Sequence, residues 1–414
     1  MRPHLFSLLG LLLVTAALFY RVLLPLSPVI ASDSPYHQIV RKAQIAAKPN
    51  GVMWSEDGYL GNGHSANYEL YSPIRRFVPF QYYNTALFPL CVFLAGLGLY
   101  AFLTVMGLKA KAAFVGALSL ILSGHFITCV FSGHAGTFMM WAAFMWALLS
   151  LTVAVKSRSV VAMVWAGILS ALVLRYQFDI GFLLLGILFC WFFVLLWHEK
   201  EKKQFGKLAL GTVLALIVFC AFGAHAFFYV LGISNDSASN AAISESAKES
   251  RLEKWDWATQ WSFPVSETSS LVFPGLFGWG NQDPEHPYYG AIGRSLKWPK
   301  GGIENFSINT QGEGAGIILL ALLAVSLLFS RCQDKWFLWF WLIVAAAGLL
   351  FSYGRYCDVS PGSETGFGPY RLFYLLPKMS DMRNPIKFLY PFMLAVSVLC
   401  AAGFNALCKE EPNV

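Results

Sequence analysis

The chain has 414 residues, 57% of them hydrophobic and 13% charged. A soluble domain carries about 25% charged residues, so composition excludes an ordinary soluble globule and points to a polytopic membrane protein. The net charge of +7 comes from scattered Lys and Arg, which is a topology signal and no nucleic-acid footprint; the eight cysteines form no CxxC pair, which argues against a disulfide framework or a zinc site.

The first apolar segment is Leu5–Leu26, preceded by Arg2. A cleaved signal peptide ending at Val29-Ile30-Ala31 is the alternative reading, but the stretch is long for one. Nine further spans are predicted: Ala86–Met106, Ala112–Phe131, Phe138–Val155, Val160–Leu174, Ile180–Trp197, Leu208–Leu231, Ala315–Phe329, Trp336–Tyr353 and Ile386–Leu407. The fold class is therefore an all-α polytopic membrane protein with about ten transmembrane helices, read as a single transmembrane domain over 1–414.

Placing the N-terminus inside puts Lys or Arg in every short inner loop, with His198-Glu-Lys-Glu-Lys-Lys the densest cluster. The outer side then owns the long segments Ala31–Asn84, Gly232–Gly314 and Gly354–Pro385, with most of the 23 acidic residues. Lys and Arg are also numerous there, but long loops are exempt from the positive-inside rule. Ser234–Trp257 is Ser/Ala/Glu/Lys-rich and reads as a loop or a surface helix. Trp255, Trp257 and Trp261 follow, suited to the headgroup layer or to packing against other loops.

Asp33 opens Asp-Ser-Pro-Tyr36-His37 just beyond the first span. A carboxylate at the membrane surface can take a proton from a sugar or lipid hydroxyl; Asp before Ser-Pro is also an ordinary helix cap. Glu56 and Asp57 lie further along the same loop. His125 and His134 stand in the near-duplicates Ser123-Gly-His and Ser132-Gly-His. Their spacing of nine fits no helical metal pair, so substrate contact or packing is expected. Arg175, Gln177 and Asp179 read as a tight turn with an Arg–Asp pair, or as a polar plug. Arg355, Arg371, Arg383 and Lys387 approach the membrane from outside, where they suit a lipid-linked phosphate or ordinary lipid headgroups.

Several motifs carry a resemblance. Leu376-Pro-Lys-Met-Ser-Asp-Met-Arg-Asn-Pro-Ile-Lys-Phe-Leu resembles the LPG-x-S-x-FR-x-P-x-(R/K)-FL stretch of YfhO-like bacterial membrane proteins. Ser132-Gly-His-Ala-Gly-Thr-Phe is similar to their GH-x-x-K segment, with Thr137 where Lys is common. Ser262-Phe-Pro-Val-Ser-Glu-Thr with Phe273-Pro-Gly-Leu-Phe-Gly is similar to their S-x-P-x-E and PG-x-x-G loop.

The resemblance implies a GT-C type glycosyltransferase of the bacterial inner membrane. Its partners would be the bilayer, a polyprenyl-phosphate-linked sugar and a glycan or lipid acceptor. No cofactor is implied, and a divalent metal is not indicated. By position Asp33 would be the catalytic carboxylate that takes the acceptor's proton. Arg371 and Arg383 would stabilise the leaving phosphate, with Arg355 and Lys387 beside them. His125, His134, Glu56, Asp57, Tyr36 and His37 would orient sugar or acceptor. Asp33 lacks the adjacent second acid of some relatives, and YfhO-like chains are often longer, which leaves a short, split or inactive variant open. A transporter or flippase is the alternative in another class; it calls for broken helices with polar groups at mid-bilayer. An inactive scaffold subunit is a third reading.

Overall fold

The computed structural model describes residues 2–24, 53–55, 62–64, 82–132, 134–198, 205–238, 246–279, 285, 287–294, 314–328, 334–358, 367–375 and 383–408. Helices cover Arg2–Leu18 (α1), Tyr20–Leu23 (α2), Tyr83–Val105 (α3), Ala110–Ile121 (α4), Gly124–Ser132 (α5), Ala135–Ser157 (α6), Val160–Tyr176 (α7) and Phe178–His198 (α8). They continue with Phe205–Ala238 (α9), Ser246–Thr259 (α10), Ile317–Leu328 (α11), Lys335–Ser352 (α12), Pro369–Tyr374 (α13) and Leu389–Leu407 (α14). Tighter 3-10 turns cover Val265–Leu271, Gly354–Cys357 and Pro385–Phe388. A small antiparallel hairpin pairs Met53–Ser55 (β1) with Asn62–His64 (β2), Trp54 opposite Gly63, in a stretch expected to be loop.

Among the described residues, six helices are long and apolar enough to cross a membrane: Asn84–Val105, Ala135–Ser157, Phe178–His198, Gly206–Ala224, Lys335–Ser352 and Pro385–Leu407. Pro3–Leu18, Ala110–Phe126 and Val160–Tyr176 are shorter apolar helices. Most are apolar all round, as helices buried in protein or lipid are.

Two boundaries differ from the sequence expectation, and one open reading is decided. The span expected over Ala112–Phe131 is two helices, α4 and α5, broken at Leu122-Ser123. Gly124, the first residue of α5, donates its N–H to the Gly314 carbonyl at 3.3 Å rather than continuing the α4 ladder. Helix α9 runs to Ala238, past the predicted end at Leu231; one interior glycine, Gly232, costs only about 1 kcal/mol relative to Ala and does not stop a helix. The Ser/Ala/Glu/Lys-rich segment contains the helix α10, Ser246–Thr259.

The last helix, α14, is the hub. Of its apolar window 83% is buried, against 22% for α9, and it packs on α4, α11 and α12. Lipid tails are as apolar as Leu, so close van der Waals approach through small residues replaces the hydrophobic effect as the force between helices. Gly116 of α4 rests on Ala401, Gly167 of α7 on the Ala215 backbone, and Gly403 of α14 on the Leu322 carbonyl. Aromatic rings fill the wider gaps. Trp191 contacts Phe102, Trp336, Phe337, Phe340 and Trp341, and its buried indole N–H donates to Thr152 Oγ1 at 2.9 Å.

The bundle has two unlike ends. At one, His4 Nδ1 meets Tyr100 Oη at 2.6 Å, Lys156 Nζ donates to the Val105 carbonyl at 3.0 Å, and the Lys109 N–H donates to Asn405 Oδ1 at 3.1 Å. This end carries the described short connections with Lys109 and Arg158. The other end carries α10, α13 and the 3-10 turns as a collar, stitched by Phe263 N–H to the Ser352 carbonyl at 2.9 Å and Ala315 N–H to the Leu271 carbonyl at 2.9 Å.

Candidate functional site

The collar brings together residues far apart in the chain. Its turn at Arg383–Lys387 is pinned to the end of α10: Asn384 N–H donates to the Ala258 carbonyl at 2.9 Å, and Ile386 N–H to the Trp261 carbonyl at 3.0 Å. Asn384 makes the turn with φ of 72°, a left-handed conformation that Asn tolerates better than most residues.

The four cations expected to face a phosphate have distinct surroundings. Arg355 is 3% exposed. Its Nη1 donates to Asp256 Oδ1 at 2.8 Å, its Nη2 donates to the Arg294 carbonyl, and its backbone N–H donates to Ser262 Oγ at 3.2 Å. Arg371 is buried, with Nε 3.0 Å from Asp358 Oδ2 and the guanidinium 4.4 Å above the Trp255 ring. Its N–H does not point along the line to the carboxylate, so the contact is an ion pair rather than a directed hydrogen bond. Lys387 Nζ pairs with Asp179 Oδ2. Arg383 is exposed, and its guanidinium lies 4.9 Å over Trp257.

Asp179 accounts for the polar turn between α7 and α8. Its Oδ1 accepts the Ile180 N–H at 2.8 Å and Gln177 Nε2–H at 2.9 Å. The expected partner was Arg175; the salt bridge goes to Lys387, 208 residues away. The turn is therefore a clamp between α8 and the start of the last span.

His125 and His134 stand in different settings, His125 inside α5 and His134 beyond its end. His125 is 1% exposed, with Nε2 3.5 Å from Cys129 Sγ and its ring 3.8 Å from the Tyr390 ring. Trp141 stacks parallel to Tyr390 and meets His125 edge-on. His134 is exposed where α5 gives way to α6, its N–H donating to the Cys129 carbonyl at 3.2 Å. Asp33, Tyr36, His37, Glu56 and Asp57 lie outside the described residues.

Sequence reasoning missed a buried network in the collar, between Glu267 and Tyr356. Glu267, 2% exposed, accepts the Tyr288 hydroxyl at 2.6 Å and the Ala291 N–H at 2.7 Å. Tyr288 Oη accepts the Ile292 N–H at 3.0 Å, Arg294 Nε donates to the Gly290 carbonyl at 2.7 Å, and Tyr356 Oη donates to the Ala291 carbonyl at 3.2 Å. Burial pushes the Glu267 carboxyl up, against the pull of its two hydrogen bonds and the nearby Arg294 charge. Burial, and then the Glu267 charge, push the Tyr288 phenol above its usual range. Both Glu267 oxygens are engaged, so this carboxyl organises the collar and is not offered to a substrate. The signal was the single acid in Ser-Phe-Pro-Val-Ser-Glu267 facing Tyr288-Tyr-Gly, partners too far apart in sequence to pair by spacing.

No group of three or more His, Cys, Asp or Glu positioned to hold a metal occurs among the described residues. Comparison with known proteins found no matching family, no matching characterised protein and no matching solved structure.

Proposed function

We propose that this chain is a membrane glycosyltransferase of GT-C type, of the kind the YfhO-like motifs suggest. It would move a sugar from a polyprenyl-phosphate donor to a glycan or lipid acceptor outside the cytoplasmic membrane of a bacterium. The observation that carries this reading is the asymmetry of the bundle. One end gathers Arg355, Arg371, Arg383 and Lys387 with Trp255 and Trp257 into a collar at headgroup height, where a phosphate on a lipid tail would be met. The six long apolar helices, the three shorter ones and α11 are read together as ten traverses, α4 and α5 making one. Both termini then fall on the cytoplasmic side with the short Lys/Arg loops.

In this mechanism Asp33 takes the proton from the acceptor hydroxyl as its oxygen bonds to the anomeric carbon. The bond from that carbon to the phosphate oxygen breaks, and the lipid phosphate leaves with the electron pair. Fixed cations beside it stabilise the charge it gains, with no reorganisation at the moment of reaction. Arg383, held by Trp257, is the candidate nearest to free charge, and Arg371, already paired with Asp358 and lying over Trp255, steadies the collar beside it.

The test is sugar transfer from a lipid-linked donor by protein in liposomes. Asp33→Asn is expected to lower the rate by about 10²–10⁴-fold, the usual contribution of a general base. Unchanged transfer removes Asp33 from the mechanism, and lipid flux without bond formation supports the flippase reading instead.

A further inference from the structure

We infer that the four outer cations divide their labour: Arg383 on Trp257 is a preorganised seat for a phosphate group at the membrane surface, whereas Arg355, Arg371 and Lys387 hold the collar together. The inference deepens the proposed reaction and depends on it only for the identity of the molecule that owns the phosphate.

The first argument is charge. Arg355, Arg371 and Lys387 each face a carboxylate, from Asp256, Asp358 and Asp179. An anion from outside would have to compete with those partners. Arg383 has no carboxylate partner among the described residues; its contact is the Trp257 ring. Of the four, it is the one with no carboxylate facing it among the described residues.

The second argument is order. An isolated surface arginine loses considerable side-chain entropy when it grips a ligand. Arg383 has little left to lose. The residue after it is bound to Ala258 and the third after it to Trp261, and its guanidinium carbon already rests 4.9 Å from the centre of an indole ring. A guanidinium steadied by a cation–π contact keeps N–H donors that can fork onto two phosphate oxygens.

The third argument is depth. The last apolar span begins at Pro385, two residues after Arg383, so a bilayer around that span would put the cation at the edge of the hydrocarbon. Trp257 is 44% exposed beside it, and an amphipathic indole favours that layer. The ligand class is therefore a phosphate carried on an apolar tail. Two molecules supply it: a lipid-linked sugar donor and an ordinary anionic phospholipid.

The experiment is calorimetric titration of the full chain in a non-ionic detergent with dodecyl phosphate, with inorganic phosphate and dodecanol as separate arms. Wild type is expected to bind dodecyl phosphate and not dodecanol. Arg383→Gln is expected to weaken binding by about tenfold or more, the range of a charge-assisted hydrogen bond. Trp257→Ala should weaken it less, and Arg383→Lys should restore only part. Lys254→Gln, an exposed cation of the same helix as Trp257, should bind like wild type. Undiminished binding by Arg383→Gln, or an equal loss in Lys254→Gln, overturns the seat. Equal affinity for inorganic phosphate overturns the claim of an apolar tail. Competition by phosphatidylglycerol as strong as by undecaprenyl phosphate supports a bulk-lipid seat, and preference for undecaprenyl phosphate supports a donor seat. No sugar moves in this measurement, so a failed transfer assay leaves the seat standing, and a failed titration leaves the reaction standing.

Discussion

At the scale of single residues, the collar depends on charges that the fold has neutralised. Arg355 is the most deeply set. Replacing it with Ala would leave Asp256 half-buried and the Arg294 carbonyl without its donor. Breaking a buried pair from one side costs about 3–5 kcal/mol, and the 19% exposure of the Asp256 side chain places this case at or below the low end. Thermal unfolding in detergent should show a clear drop for Arg355→Ala and almost none for the exposed Arg383→Ala. Equal drops would mean that the Asp256 pair does not hold the collar. Glu267 gives a pH signature. Burial raises its carboxyl in the folded protein, so the folded state binds the proton more tightly than the unfolded one. Its contribution is most favourable below the ordinary Glu range near 4.5 and declines as pH rises from there through the raised folded value. Glu267→Gln removes that proton and should flatten this part of the stability–pH curve. An unchanged slope would assign the dependence to other carboxylates.

At the scale of elements, the close contacts are made where a side chain is missing. A Cβ on Gly403 would stand 2.0 Å from the Leu322 carbonyl oxygen, and one on Gly167 would stand 2.4 Å from that of Ala215. Both obstacles are backbone, so neither helix can yield by turning a rotamer. Gly403→Ala and Gly167→Ala should each destabilise by about 1–3 kcal/mol, the usual cost of overpacking, read as a lower melting midpoint. Gly186, with nothing near its Cβ position, is the control: Gly186→Ala should be neutral or slightly stabilising. Helix existence was legible from the apolar runs, whereas the break between α4 and α5 was not. Ser123-Gly124 gave a local hint, but the partner that takes the Gly124 N–H is Gly314, nearly two hundred residues on.

At the scale of the whole molecule, the proposed orientation puts the collar outside and the short Lys/Arg loops inside. A membrane-impermeant maleimide on intact cells should label Leu375→Cys in the collar and leave Ser157→Cys unlabelled until the membrane is opened, both introduced into a protein without its native cysteines. The reverse pattern would invert the topology and end the proposed extracellular chemistry. The sequence alone pointed to a membrane protein and showed roughly where its apolar helices run, because length and hydropathy are local quantities. Only the tertiary structure decided which cation meets which carboxylate: Arg355 with Asp256, Arg371 with Asp358, and Lys387 with Asp179 rather than the expected Arg175. Those pairings depend on which helix ends pack side by side, and packing is set by glycine contacts and backbone hydrogen bonds between segments that no spacing rule connects.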